Sequence, residues 1–182
     1  MVFTTPFWLL SLLLPAQPVQ NTLPPPAPKV VWSAARPLTW DDFRARPNTD
    51  RLAALTSSSI DATIGCVDFH FSGKVQATFA PSESWVRNAT QASPALLRHE
   101  QLHFDLTEVH ARMLRQKLSL VKFDCLHLQP AFNNLTKVAF LAWQRDEARY
   151  DQETNHGLNA PKQAEWEQKT RQRLEQFAAF AE

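Results

Sequence analysis

The hydrophobic period changes once along this chain, and that change limits the fold more than any other feature. Between Ala53 and Phe79 apolar and polar residues alternate. Ile60, Ala62 and Ile64 stand against Asp61 and Thr63, and Val67, Phe69 and Phe71 against Asp68 and His70. A period of two is that of a half-buried strand. With Ser72-Gly73 taken as a turn and KVQATF as the return, the stretch predicts three short antiparallel strands. His70 falls on the polar face and is expected to meet solvent. After Pro81 the spacing becomes helical. Ser93 as N-cap with Pro94 at the first position opens a helix. Leu96, Leu97, Leu102, Leu106, Val109, Met113, Leu114 and Leu118 continue it to Leu120. Residues 131–150 form a second helical stretch, interrupted by Asn155-His156-Gly157, and a third runs from about Pro161 to the end. A block of strands followed by a block of helices means α+β.

The N-terminal residues follow neither period. Residues 1–16, MVFTTPFWLLSLLLPA, carry an apolar run of the length found in secretory signals, too short to span a bilayer as a helix. Residues 17–30 are Pro-rich and nearly uncharged, as in an extended linker. The domain is then expected over residues 31–182. It opens on Trp32, Leu38, Trp40 and Phe43 as packing anchors, with Thr39 as N-cap before WDDF. No later stretch can cross a membrane, and the signal implies export to the periplasm or beyond. Cys66 and Cys125 are the only cysteines, and in an exported chain they are expected to form one disulfide. Nineteen basic residues against eighteen acidic ones, without clustering, argue against a nucleic-acid partner.

Chemistry enters on the first long helix. His99, Glu100 and His103 spell H-E-x-x-H within LRHEQLHFDL. Residues four apart on a helix lie ~40° from one another and ~6 Å along the axis, so two imidazoles can close on one metal. A glutamate beside the first histidine reaches a water on the metal and not the metal itself. This division gives two ligands and one general base. Zinc at such a site brings the pKa of its water to ~7. A third ligand is required. The long metalloprotease form fails, because Leu106 and Val109 stand where it needs Gly and His. His110 lies ~10.5 Å further along the helix and is expected to be a helix-surface histidine. Glu108 points ~140° away from His103. The segment EARYDQETNHG, residues 147–157, offers Glu147, Asp151, Glu153 and His156, with Gly157 suited to a tight turn.

LLRHEQLHFDLTEVHARMLRQKL followed by YDQETNHG resembles a bacterial family of unknown function, family 922, described as secreted zinc-dependent proteases. LTWDDF, SESWV at 82–86 and the late Gln163 and Trp166 are also similar to it. The resemblance implies a zincin-like α+β fold, a small antiparallel sheet followed by three helices. It implies His99 and His103 as zinc ligands, Glu100 as base, and His156 as the third ligand, with Glu147 as the alternative. Asp105 and Asp151 are then expected to orient imidazoles through their second ring nitrogen. Tyr150 is expected either to contact a developing oxyanion or to pack.

The resulting expectation is an exported Zn2+-dependent peptidase acting on a peptide or protein. KVQATF would be the edge strand that holds the substrate. The competing expectations are a non-catalytic exported zinc-binding module, whose metal is fully coordinated by protein, and an exported domain without metal.

Overall fold

The computed structural model describes residues 27–126 and 128–182. The segment expected to be a signal, 1–16, and most of the linker lie outside the described residues. The chain is α+β. Its strands are β1 (Val30–Val31), β2 (Ala54–Leu55), β3 (Ser58–Val67), β4 (His70–Phe79) and β5 (Trp85–Val86). Its helices are α1 (Pro94–Leu120), α2 (Leu128–Thr154) and α3 (Ala160–Gln176). Thr39 precedes a single 3-10 turn, Trp40–Asp42. Among the described residues no helix is long and apolar enough to cross a membrane.

The sheet differs from the three-strand expectation. β3 and β4 form one long hairpin, with Val67 opposite His70 and Ser58 opposite Phe79. The turn is Asp68-Phe69, both with positive φ, 50° and 61°. That is the two-residue geometry that matches strand twist. Ser72-Gly73 is not a turn: Gly73 pairs with Ile64 inside the ladder. The turn was hidden because it lacks glycine, and Asp68 is a residue type that tolerates the left-handed region. β1 pairs with the far end of β4, so the order is β1-β4-β3. KVQATF therefore lies in the central strand and is not the edge expected to hold a substrate. β2 and β5 make a separate two-stranded sheet.

α1 sits between the sheet and the other two helices. Ser93 accepts a hydrogen bond from the Leu96 N–H at 3.1 Å, and Pro94 occupies the first position. Phe104, Ala111, Leu114 and Leu118 pack with Ile60, Val75, Ala77 and Phe79 of the hairpin. Leu102 and Leu106 pack with Tyr150 of α2 and Trp166 of α3. Each large side chain so buried contributes roughly 1.5–3 kcal/mol. Held on both sides, α1 can bury polar residues that an outer helix would expose, including His99 and Glu100 at 2% and 3% exposure. Cys66 and Cys125 form a disulfide that ties the hairpin tip to the segment after α1.

His110 is a correction. It is buried, not on the helix surface, because its Nε2 meets Asp146 Oδ2 at 2.9 Å and Arg173 closes the cluster. Glu108 is likewise buried, paired with Arg112 and Arg115 and away from the other candidates. His70 is exposed, as its strand position predicts.

Candidate metal centre

His99 and His103 project from α1 toward the C-terminal end of α2. His99 Nε2 lies 3.1 Å from Asp151 Oδ1, His103 Nε2 lies 3.1 Å from the same oxygen, and the two nitrogens are 3.3 Å apart. His156 Nδ1 is 3.4 Å from that oxygen. His99, Asp151 and His156 present donor atoms that all lie within 4.8 Å of one another, and His103 joins them through His99 and Asp151.

The other ring nitrogens are held from behind. His99 Nδ1 lies 3.2 Å from Gln163 Oε1, which also accepts from the Tyr150 hydroxyl at 2.8 Å. His103 Nδ1 lies 2.5 Å from Glu147 Oε2. Glu147 Oε1 in turn accepts from the Trp143 indole at 2.8 Å. An acceptor behind each Nδ1 places the proton there and turns the Nε2 lone pair toward Asp151. Two lone pairs and a carboxylate oxygen within 3.3 Å repel one another unless a cation or extra protons stand between them. Burial opposes a charged His103, yet the hydrogen bonds and charges of Asp151 and Glu147 outweigh it and push its pKa up to about 10. Burial likewise raises Asp151, but His103 and His99 outweigh it and hold its carboxyl well below the usual carboxylate range.

Asp151 was expected behind a ring and lies on the open, Nε2 side of both. Glu147, the alternative ligand, lies against the Nδ1 of His103. Asp105 orients neither histidine: its Oδ1 accepts from Trp32 and from Gln101, beside a separate cavity of about 370 Å3. Tyr150 packs, with its ring stacked 4.7 Å from that of His99 and its buried hydroxyl turned to Gln163. Glu153 binds Arg149 and Trp166 outside the cluster.

Glu100 lines a cavity of about 440 Å3 together with His99, His103, Asp151 and His156. Its Oε2 accepts from the Thr56 hydroxyl at 2.7 Å. Its Oε1 has no hydrogen-bond partner among the described residues. Thr56 carries no signal of its role in the sequence. Only the late Gln163 and Trp166 pair, far from the motif, marks where α3 returns.

His156 is delivered by an unusual backbone. Asn155, His156 and Gly157 all have positive φ, 48°, 53° and 79°. Left-handed residues in succession persist only where their surroundings hold them. Here Thr154 accepts from the Gly157 N–H, and Gly157 lies against His99, where a Cβ would come within 3.0 Å of the imidazole.

A family model described as bacterial protein of unknown function (DUF922) matches residues 38–157. The chain belongs to this family. The match runs from Leu38 through the hairpin, α1 and α2 to Gly157, so it contains every residue of the cluster. Gln163 and Trp166 lie beyond it, and this family member completes its histidine support with a helix outside the matched span. No curated protein and no solved structure matches the chain.

Proposed function

We propose that this protein is an exported zinc-dependent peptidase of zincin-like architecture, with His99, His103 and Asp151 as ligands and Glu100 as general base. The observation that carries this reading is the triangle of His99 Nε2, His103 Nε2 and Asp151 Oδ1, with edges of 3.1–3.3 Å. Three donors each ~2.0–2.2 Å from one tetrahedral zinc would stand ~3.3 Å apart, so the donor set fits this metal. Nitrogen and carboxylate donors also suit it. A bound zinc supplies Lewis acidity, polarising a carbonyl and making a water more acidic.

The chain's own residues do the rest. Thr56 holds one Glu100 oxygen, leaving Oε1 to accept a proton from the attacking water and return it to the departing amine. Glu147 and Gln163 keep both imidazoles in the tautomer that binds metal. His156, half exposed at the rim of the cavity, is placed to meet the substrate. The disulfide supports an oxidising destination.

One observation favours a second reading. His156 Nδ1 is close enough to Asp151 for four protein donors to surround one ion, which would close the site and make it structural. Two measurements separate the readings: zinc per chain for the parent, Asp151→Asn and His156→Ala, and peptide hydrolysis by Glu100→Gln. The proposal expects about one zinc in the parent, loss in Asp151→Asn, retention in His156→Ala, and no turnover in Glu100→Gln with zinc retained. A parent that binds no zinc, or an active Glu100→Gln, refutes it.

A further inference from the structure

The cavity of about 370 Å3 beside Asp105 shares no residue with the metal cluster, apart from its place on the same helix. It lies between α1 and α3 and is walled on its third side by Trp32, Ala34 and Pro37. That wall is fixed. The Trp32 indole donates to Asp105 Oδ1 at 2.8 Å, and the Leu38 N–H donates to Gln101 Oε1 at 2.6 Å. The Arg112 guanidinium lies over the Trp32 ring, 5.2 Å from its centre. The cavity is thus formed in advance, and its volume falls in the range of small-molecule sites.

Three polar groups on its lining are left over. The first is Thr170, which is 1% exposed. Its Oγ1 is the one buried side-chain nitrogen or oxygen without a hydrogen-bond partner among the described residues. The other threonines buried in the helices, Thr107, Thr136 and Thr154, each donate to the carbonyl four residues back at 2.7–2.9 Å. Thr170 makes no such bond and lies on the cavity lining instead. An unpaired buried hydroxyl destabilises the fold, so something other than stability accounts for it.

The second group is Asp105. Its Oδ1 accepts from both Trp32 and Gln101, while its Oδ2 has no partner and the carboxylate makes no ion pair among the described residues. The third is Arg171, at the exposed rim and likewise without an ion pair among the described residues. The other two charged residues of the lining, Arg98 and Glu167, face each other at 3.8 Å. Leu102 and Leu174 add apolar surface.

An unpaired carboxylate and hydroxyl on the inner lining suit an ammonium, and a free guanidinium at the rim suits a carboxylate. We infer that this cavity binds a small apolar zwitterion, an amino acid or a short peptide, with its amine on Asp105 Oδ2 and Thr170 Oγ1 and its carboxylate on Arg171. The body of the ligand lies against Leu102, Leu174 and Pro37. Binding here requires no metal and does not depend on the peptidase reading.

The test is calorimetric titration of chelator-treated protein, in which a peptide stays intact, with leucine, Ala-Leu, N-acetyl-Ala-Leu and Ala-Leu amide. Leucine or Ala-Leu is expected to bind, and the tighter of the two names the source. N-acetylation is expected to weaken binding of Ala-Leu about tenfold or more, because it removes the charge and leaves Asp105 unpaired. The amide should bind less tightly than the acid to the parent, and the two should bind alike to Arg171→Gln. Thr170→Val removes only the unpaired hydroxyl. It should weaken binding about fivefold or more while Tm stays level or rises, which a purely structural threonine would not do. Leu158→Asp, at an exposed position of the cavity on the metal side, should bind like the parent. Failure of both leucine and Ala-Leu to bind overturns the inference. So does equal binding of the acetylated peptide, or Thr170→Val binding like the parent. Loss of binding in Leu158→Asp places the ligand in the other cavity and overturns it as well.

Discussion

Replacing Gly157 by alanine probes the turn that closes the site. Gly157 has φ +79°, a region where an L side chain costs about 1–2 kcal/mol. The added Cβ would lie 3.0 Å from both Cβ and Cγ of His99 and 3.3 Å from its Nδ1. That ring cannot retreat: it is stacked on Tyr150 at 4.7 Å and held by Gln163 at 3.2 Å. Overpacking a rigid site adds about 1–3 kcal/mol. The sum is about 2–5 kcal/mol, or a Tm lower by roughly 5–15 °C in a domain of this size. On the proposed zinc reading, any relief that shifts His99 by a few tenths of an ångström exceeds the tolerance of a zinc ligand, so zinc affinity should fall about tenfold or more. Gly73→Ala is the control. Its Cβ would also meet an atom at 3.0 Å, but that atom is Cζ at the free end of the Phe71 ring, and the backbone there is ordinary strand. It should cost under about 1 kcal/mol, as a change within reach of relaxation, and leave zinc binding intact. Thermal unfolding and competition with a chromophoric chelator read both variants. Equal Tm and equal zinc affinity for the two would refute the claim that this turn positions His99.

Gln163→Ala and Glu147→Ala remove the acceptors behind His99 and His103. Each should weaken zinc binding about 10–100-fold in chelator competition, with little change in far-UV circular dichroism. On the proposed zinc reading the metal competes with a proton on His103, whose pKa Asp151 and Glu147 push up to about 10 against its burial. Calorimetry in buffers of different ionisation enthalpy should therefore show release of about one proton at pH 7, with affinity rising as pH rises. Reducing the Cys66–Cys125 bridge, which spans 59 residues, should destabilise by about 4 kcal/mol on the chain-entropy model, read as a lower denaturation midpoint under reductant. Asp146 is held well below the usual carboxylate range, first by the hydrogen bond from His110 and then by Arg173 against its burial. A depressed pKa stabilises the fold above the unfolded value near 3.9, and the contribution is lost as pH falls through the lower folded value. The Tm gap between parent and Asp146→Asn, open at pH 7, should close progressively below about pH 4.

Local patterns were legible because local physics sets them. The Ser93-Pro94 start and the helical period placed α1 within its observed bounds, and the spacing of four put His99 and His103 on one face. Two cysteines in a chain with a signal-like leader implied one disulfide. The hairpin register was less legible, because Asp68-Phe69 turns through positive φ without the glycine that usually reports it, while Ser72-Gly73 imitated a turn inside a ladder. His110 was misplaced for a different reason. Helical spacing gives the direction of a side chain, but not whether Asp146 and Arg173 from two later helices will enclose it.

By itself the sequence determined the element types, the helix that carries the motif, the pair of histidines and the glutamate between them. Tertiary structure alone decided which acidic groups face the two histidines. On the sequence His156 stood as the expected third ligand, Glu147 as the alternative and Asp151 as a group behind an imidazole. With Tyr150 packed against Leu102 and Leu106, Asp151 lies beside both Nε2 atoms and Glu147 beside the Nδ1 of His103. Thr56 and Gln163 reach the site from 44 and 64 residues away. Nothing in their own neighbourhoods could signal it, because such contacts are set by the sum of many burial terms across the fold and not by the period or propensity of any one segment.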